Sequence, residues 1–163
     1  MKKWVPMGPV SPLQLPENGV TANVMAVWTS VGEVHPNASS FDISSIPLVN
    51  ATEASKFVTQ KRAAEHAAGR YALATLLRNL GFDPINLQVI RDQYRKPKLM
   101  WRDVDAKSGT DGLQNQSLPE ITIGHSNGVA IAAVSLDGYP IGLDAEPVDV
   151  CRSKNILTMM ASG

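Results

Sequence analysis

Apolar and polar residues change period along the chain, and each change marks an element. Asn23 to Val31, NVMAVWTSV, concentrates β-branched and aromatic residues and predicts a strand. The turn-rich GEVHPNASSFDISSIPLVN after it predicts a long loop. From about Thr52 to Leu80 the period is helical. Leu73, Leu76, Leu77 and Leu80 recur at three-and-four spacing, alanines fill the turns between them, and Gly81 stands where a C-terminal cap is wanted. Gly69 is a candidate break in that helix. INLQVIRD and KPKLMW predict short strands around a turn at QYRKP, and DVDAKSGTDGLQNQSLPE is a polar loop. From Glu120 onward the pattern becomes extended: EITI and VAIAAVSL predict strands flanking GHSNG, and Asp137-Gly138 marks the next turn. SKNILTMMASG has room for a helix of about two turns from Ser153.

Strands on both sides of one long helix predict an α+β chain, with a small antiparallel sheet packed against that helix. The 163 residues fit one domain with a core of its own. Residues 1–51 form an N-terminal arm, strand and loop, and 52–163 form the core. With 15 Lys+Arg against 15 Asp+Glu the chain has no net field to draw it to nucleic acid or to an acidic membrane. Its one cysteine, Cys151, cannot close an internal disulfide or build a thiolate-rich zinc site, which points to a reducing compartment. Pro6, Pro9, Pro12 and Pro16 interrupt any signal-peptide core, and no apolar run reaches the roughly 20 residues that span a bilayer, so the expectation is a cytoplasmic protein.

Gly124-His125-Ser126-Asn127-Gly128 fits the G-x-S-x-G pattern of a serine-hydrolase nucleophile elbow. That elbow needs a helix after the serine, whereas VAIAAVSLDG reads as a strand closed by a turn. It also needs a histidine downstream of Ser126, and the histidines are His35, His66 and His125. Serine hydrolysis through Ser126 is therefore a third reading, open only if another fold brings His35 or His66 to it. On position alone His35 is an exposed loop residue and His66 a packing or surface residue of the helix. Trp4, Trp28 and Trp101 are too scattered for a stacking platform and read as core or interface anchors.

PIGLDAEP alternates: Ile141, Leu143 and Ala145 face one way, Gly142, Asp144 and Glu146 the other. On a strand the two carboxylates would lie about 7 Å apart at their Cα atoms, within reach of one hard cation such as Mg²⁺, with Gly142 leaving space beside them. An acidic face turned to water is the plain alternative. Between Lys56 and Lys107 there are 11 Lys/Arg against 5 Asp/Glu, a surplus of six in a neutral chain. Cations on phosphates with carboxylates on a metal is a common composition for phosphate transfer. Lys56, Arg78 and Arg102 read better as a solvated helix face.

Four pieces, in order, resemble the long type of 4'-phosphopantetheinyl transferase, the type that activates surfactin and enterobactin synthetases. KRAAEHAAGRYALATLLRNLG is similar to its first-half helix, QYRKPKL to its G-K-P segment, ITIGHSNGVAIAAV to its S-H-S strand-turn-strand, and IGLDAEP to its G-(I/V)-D-(I/V)-E-P. The resemblance spans roughly Lys61 to Pro147. It implies one half of a pseudo-dimeric fold and Mg²⁺-dependent transfer of phosphopantetheine from coenzyme A to a serine of an acyl or peptidyl carrier protein. On this resemblance Asp144 and Glu146 are Mg²⁺ ligands, Lys96 contacts the coenzyme A phosphates, His125 binds the 3'-phosphate or diphosphate region, and Arg70 with Lys61 or Arg62 adds phosphate contacts. Three features depart from the pattern: Gly124 replaces the serine before the histidine, RKP stands where the family has G-K-P, and the later W-x-x-K-E helix is absent. The expectation is thus a truncated or half protein, which acts as a homo-oligomer, with a complementing second half, or as a non-catalytic carrier-binding module.

Overall fold

The computed structural model describes residues 3–4, 9–16, 23–32, 41–102 and 117–145. Strands β1 (Lys3–Trp4) and β4 (Phe41–Asp42) pair with each other. Strands β2 (Ser11–Leu13), β3 (Val24–Ser30), β7 (Glu120–Ser126) and β8 (Val129–Ser135) form one antiparallel sheet in the order β2-β3-β8-β7. Strands β5 (Leu87–Arg91) and β6 (Pro97–Trp101) form a separate hairpin. The protein is mixed α/β, with a small antiparallel sheet and one long helix. The strand of the 1–51 segment lies inside this sheet, between β2 and β8.

Two helices stand where one was expected. Helix α1 (Ala51–Ser55) begins at an Asn50 cap whose Oδ1 accepts from the Glu53 amide at 3.1 Å. Helix α2 (Gln60–Asn79) begins at Thr59, whose Oγ1 accepts from the Arg62 amide at 3.3 Å. Each cap satisfies a free amide of its own first turn, so the interruption falls at residues 56–59 and not at Gly69. The far end closes as the spacing predicts: Gly81 takes φ +89°, and the Phe82 amide donates to the Leu77 carbonyl at 2.9 Å.

Along α2 the leucines lie in the C-terminal half, while the N-terminal half buries only small residues among its apolar ones. Leu73, Leu76 and Leu77 pack with Val27, Ala132, Val134 and Ile121 of the sheet and with Leu87 and Val89 of the hairpin. Ala63, Ala64, Ala67 and Ala68 pack instead with Ile43, Ile46, Val49 and Ala130. Small side chains at this end let the helix approach the sheet closely. At Gly69 the approach leaves no room for a side chain, since a Cβ there would lie 2.7 Å from Ile123 Cγ2. The glycine is thus a packing contact inside a continuous helix. Gly69→Ala gains roughly 1 kcal/mol of helix propensity but forces Ile123 outward, an overpacking cost of about 1–3 kcal/mol. We expect a lower melting temperature by calorimetry; an unchanged or higher one would show that Ile123 swings aside freely.

The turn between β7 and β8 consists of two residues, Asn127 at φ +46° and Gly128 at φ +77°. Both sit in the left-handed region that a tight hairpin matched to strand twist requires. Ser126 therefore ends a strand that turns directly into another, with no helix to support an elbow. After β8, residues 141–145 differ from the strand expected there. They have no ladder partner, although exposure still alternates, with Ile141, Leu143 and Ala145 half-buried and Gly142 and Asp144 exposed. Pro140 at the start of the segment has no amide to offer a neighbouring strand.

Candidate functional site

Arg62, Glu65, His66 and Arg70 are spaced three and four apart, so they share one stripe of α2. Strand β7 faces this stripe with alternate residues, and Ile123 and His125 reach it. Glu53 of α1 and Phe57 close one side; Arg91, Arg95 and Pro97 of the β5–β6 hairpin close another. Together they line a cavity of about 210 Å³. Pockets that engulf a drug-sized ligand run to roughly 300–1,000 Å³, so this one is too small to enclose a whole molecule of that size.

Four arginines and two carboxylates line the cavity, and the carboxylates are already engaged. Glu53 accepts from Arg91 Nε at 3.0 Å and from Arg70 Nη2 at 3.4 Å. Glu65 lies 3.5 Å from His125 Nδ1 and 4.0 Å from Lys61 Nζ. Burial alone would raise the Glu53 pKa, but the hydrogen bond and charge of Arg91, then the charges of Arg70 and His66, hold it below the usual carboxylate value.

The floor is the informative part. Arg70 is only 2 % exposed, and its Nε and Nη1 are buried without a hydrogen-bond partner among the described residues. Desolvation lowers its pKa to about 10 against the pull of Glu53, so it stays cationic at neutral pH. His66 Nε2 is likewise buried and unpartnered, and its ring lies 5.0 Å from that of Phe57. Desolvation first, and then the charge of Arg70, push the His66 pKa down to about 4, so the ring is neutral at pH 7. Buried polar atoms are nearly always satisfied, so three orphans on two residues that line one cationic cavity are the feature of this site that needs an explanation.

Of the residues expected from sequence, Arg62, Arg70 and His125 meet in this cavity. Lys61 does not; its side chain is 84 % exposed and borders a neighbouring cavity of about 440 Å³ that shares Glu65 with the first. Lys96 is turned away, ion-paired to Glu120 at 2.6 Å, where it fastens the hairpin to β7. Asp144 is exposed and its Oδ1 accepts from the Ala145 amide at 2.9 Å. Its segment runs against β7, for a Cβ on Gly124 would lie 3.3 Å from the Leu143 carbonyl oxygen. Glu146 lies outside the described residues. Among the described residues no group of three or more His, Cys, Asp or Glu gathers as a metal centre.

Glu53, His66, Arg91 and Arg95 line the site without having been expected there. One signal was readable: R-x-x-x-H-x-x-x-R over Arg62, His66 and Arg70 is a helical stripe of nitrogen groups on an otherwise alanine-rich helix. Arg91, Arg95 and Glu53 reach the cavity only through tertiary packing.

The fold and site thus define an α/β chain with a partly buried cationic cavity between helix, sheet and hairpin. Comparison with family models, curated proteins and solved structures gives no match. Among the described residues, no helix is long and apolar enough to cross a membrane.

Proposed function

We propose that this chain binds coenzyme A through its phosphates and takes part in Mg²⁺-dependent transfer of phosphopantetheine to a carrier-protein serine, as a half of the transferase fold that its motifs resemble. The reading is supported chiefly by the cavity itself, which His125, Arg70 and Arg62 line together and in which Arg70 keeps two nitrogens without a partner among the described residues. Arg70 would hold phosphate oxygens at the floor, and His125, steadied by Glu65, would cover them from β7. As the carrier serine displaces adenosine 3',5'-bisphosphate, negative charge builds on the leaving oxygen, and fixed cations stabilise it.

Asp144 fits a hard-cation ligand in kind, being an exposed carboxylate one oxygen of which accepts from the next residue's amide. With Glu146 it would hold Mg²⁺, which when bound supplies further charge neutralisation on the diphosphate. Gly124, which lacks the hydroxyl of the resembled motif, instead leaves room for the Leu143 backbone to lie against β7.

Titration calorimetry with coenzyme A tests this directly. Binding is expected to strengthen in Mg²⁺, and Asp144→Ala should remove the Mg²⁺-dependent increment while sparing the Mg²⁺-independent part. No coenzyme A binding under either condition sinks the reading. Carrier-protein binding without transfer, unaffected by EDTA, would instead identify a non-catalytic binding module. Labelling by a fluorophosphonate probe would revive Ser126 as a nucleophile.

A further inference from the structure

Arg95 stands in a backbone conformation that its side chain does not want. Its φ is +65°, in the left-handed region where a non-glycine residue is strained. The turn imposes this. Asp92 Oδ1 accepts from the amides of Tyr94 and Lys96, both at 2.9 Å, and the Arg95 amide donates to the Asp92 carbonyl at 2.9 Å. The Arg95 carbonyl in turn accepts from Arg91 Nη1 at 3.1 Å, while Arg91 Nε is anchored on Glu53. Every backbone demand at this position is one that glycine meets without strain, so the fold by itself does not account for an arginine. The cavity does: the exposed Arg95 side chain forms part of its rim.

Floor and rim differ in kind. At the floor Arg70 Nε and Nη1 and His66 Nε2 are buried without a partner among the described residues, and guanidinium nitrogens of this kind donate to phosphate oxygens. At the rim the Arg95 guanidinium makes no hydrogen bond or ion pair among the described residues, whereas Arg91 is spent on Glu53 and the Arg95 carbonyl. A second phosphate bonded to the first would rise toward that rim.

We propose that Arg95 is a specificity-determining residue that makes the cavity prefer a diphosphate over a single phosphate, its strained turn holding the guanidinium at the mouth above Arg70. The proposal deepens the reading of the cavity as a phosphate site but does not need the transfer reaction.

The test is calorimetry of the full chain with inorganic pyrophosphate and with inorganic phosphate, on wild type, Arg95→Ala and Arg95→Gly. Wild type should bind pyrophosphate the more tightly. Both variants should lose roughly tenfold in pyrophosphate affinity with little change toward phosphate, as expected for one lost charge-assisted contact. Arg95→Gly should also melt roughly 2–4 °C above Arg95→Ala, because only glycine relieves the left-handed backbone. A purely structural arginine would move the melting temperature and leave the ratio of the two affinities alone. An unchanged ratio in both variants, or a wild type that binds the two anions equally, overturns the proposal. If the ratio shifts as expected yet coenzyme A does not bind even with Mg²⁺, the diphosphate preference stands and the transferase reading falls.

Discussion

Arg70→Met is expected to weaken pyrophosphate binding at least about a hundredfold, while thermal stability stays level or rises. Hydrogen bonds to a charged group are worth roughly 1.5–3 kcal/mol each, and the floor offers two such nitrogens from Arg70, so their joint loss reaches that factor. The stability half has a separate cause. A buried guanidinium with two unsatisfied nitrogens carries an uncompensated desolvation cost, and an apolar residue of similar length removes it. Glu53 is not orphaned by the change, because it keeps Arg91 at 3.0 Å. Paired measurements of affinity by calorimetry and of melting by circular dichroism check both halves. Arg70→Met with undiminished affinity would mean that the cavity is not the anion site. Unfolding of the variant would make the Arg70–Glu53 pair a structural tie, and Arg70→Lys, which retains the charge without the planar fork, would then restore stability but not affinity.

Acidification should destabilise the fold well before ordinary carboxylates titrate. His66 has a folded pKa of about 4 against 6.5 for the free side chain. Below pH 6.5 the unfolded chain gains a proton that folded His66 refuses until about pH 4, so the unfolded state binds more protons throughout that window and stability rises with pH across it. The full contribution is present above pH 6.5 and is lost as pH falls toward 4, a loss on the order of 3 kcal/mol. Glu53 continues the trend lower down: its pKa lies below 4.5, so its contribution fades as pH falls through the folded value. The charged groups acting on His66 are Arg70 and Arg91, which oppose its protonation, and Glu53, which favours it. Urea unfolding at a series of pH values, on wild type and His66→Gln, measures the effect. The variant should be flatter between pH 4 and 6.5, and two parallel profiles would show that His66 titrates normally. Saturating pyrophosphate should flatten the wild-type profile too, because an anion on Nε2 favours the imidazolium.

How far the fold could be read from sequence depended on whether the signal was local. The β3 run, the hairpin around QYRKP, the strands on either side of Asn127-Gly128 and the cap at Gly81 were legible because each rests on side-chain period or on a residue suited to positive φ. Gly69 misled for the same reason. Judged by its neighbours it looks like a helix breaker, yet its role is set by Ile123, more than fifty residues away in the chain. The segment at Asp144 misled in a related way: its alternation is real, but alternation of exposure does not make a strand without a partner edge.

The candidate site was legible only along α2 and β7. Strand parity alone separates His125 from Ser126, which point to opposite faces of the sheet, and helical spacing alone groups Arg62, His66 and Arg70. Lys96 and Arg95 are adjacent in sequence, yet one is drawn off by Glu120 and the other lines the cavity. No periodicity distinguishes them, because the difference arises from how the hairpin is pinned at Glu53 and at Glu120.

By itself the sequence determined the local elements and the charge imbalance of the middle segment, since capping, turn chemistry and period act over a few residues. Only the tertiary structure decided which of the eleven cations in that segment converge, and which lose their solvent and their partners. Desolvation depends on everything packed around a group. It is desolvation, more than charge count, that sets Arg70 and His66 apart from the other residues lining the cavity.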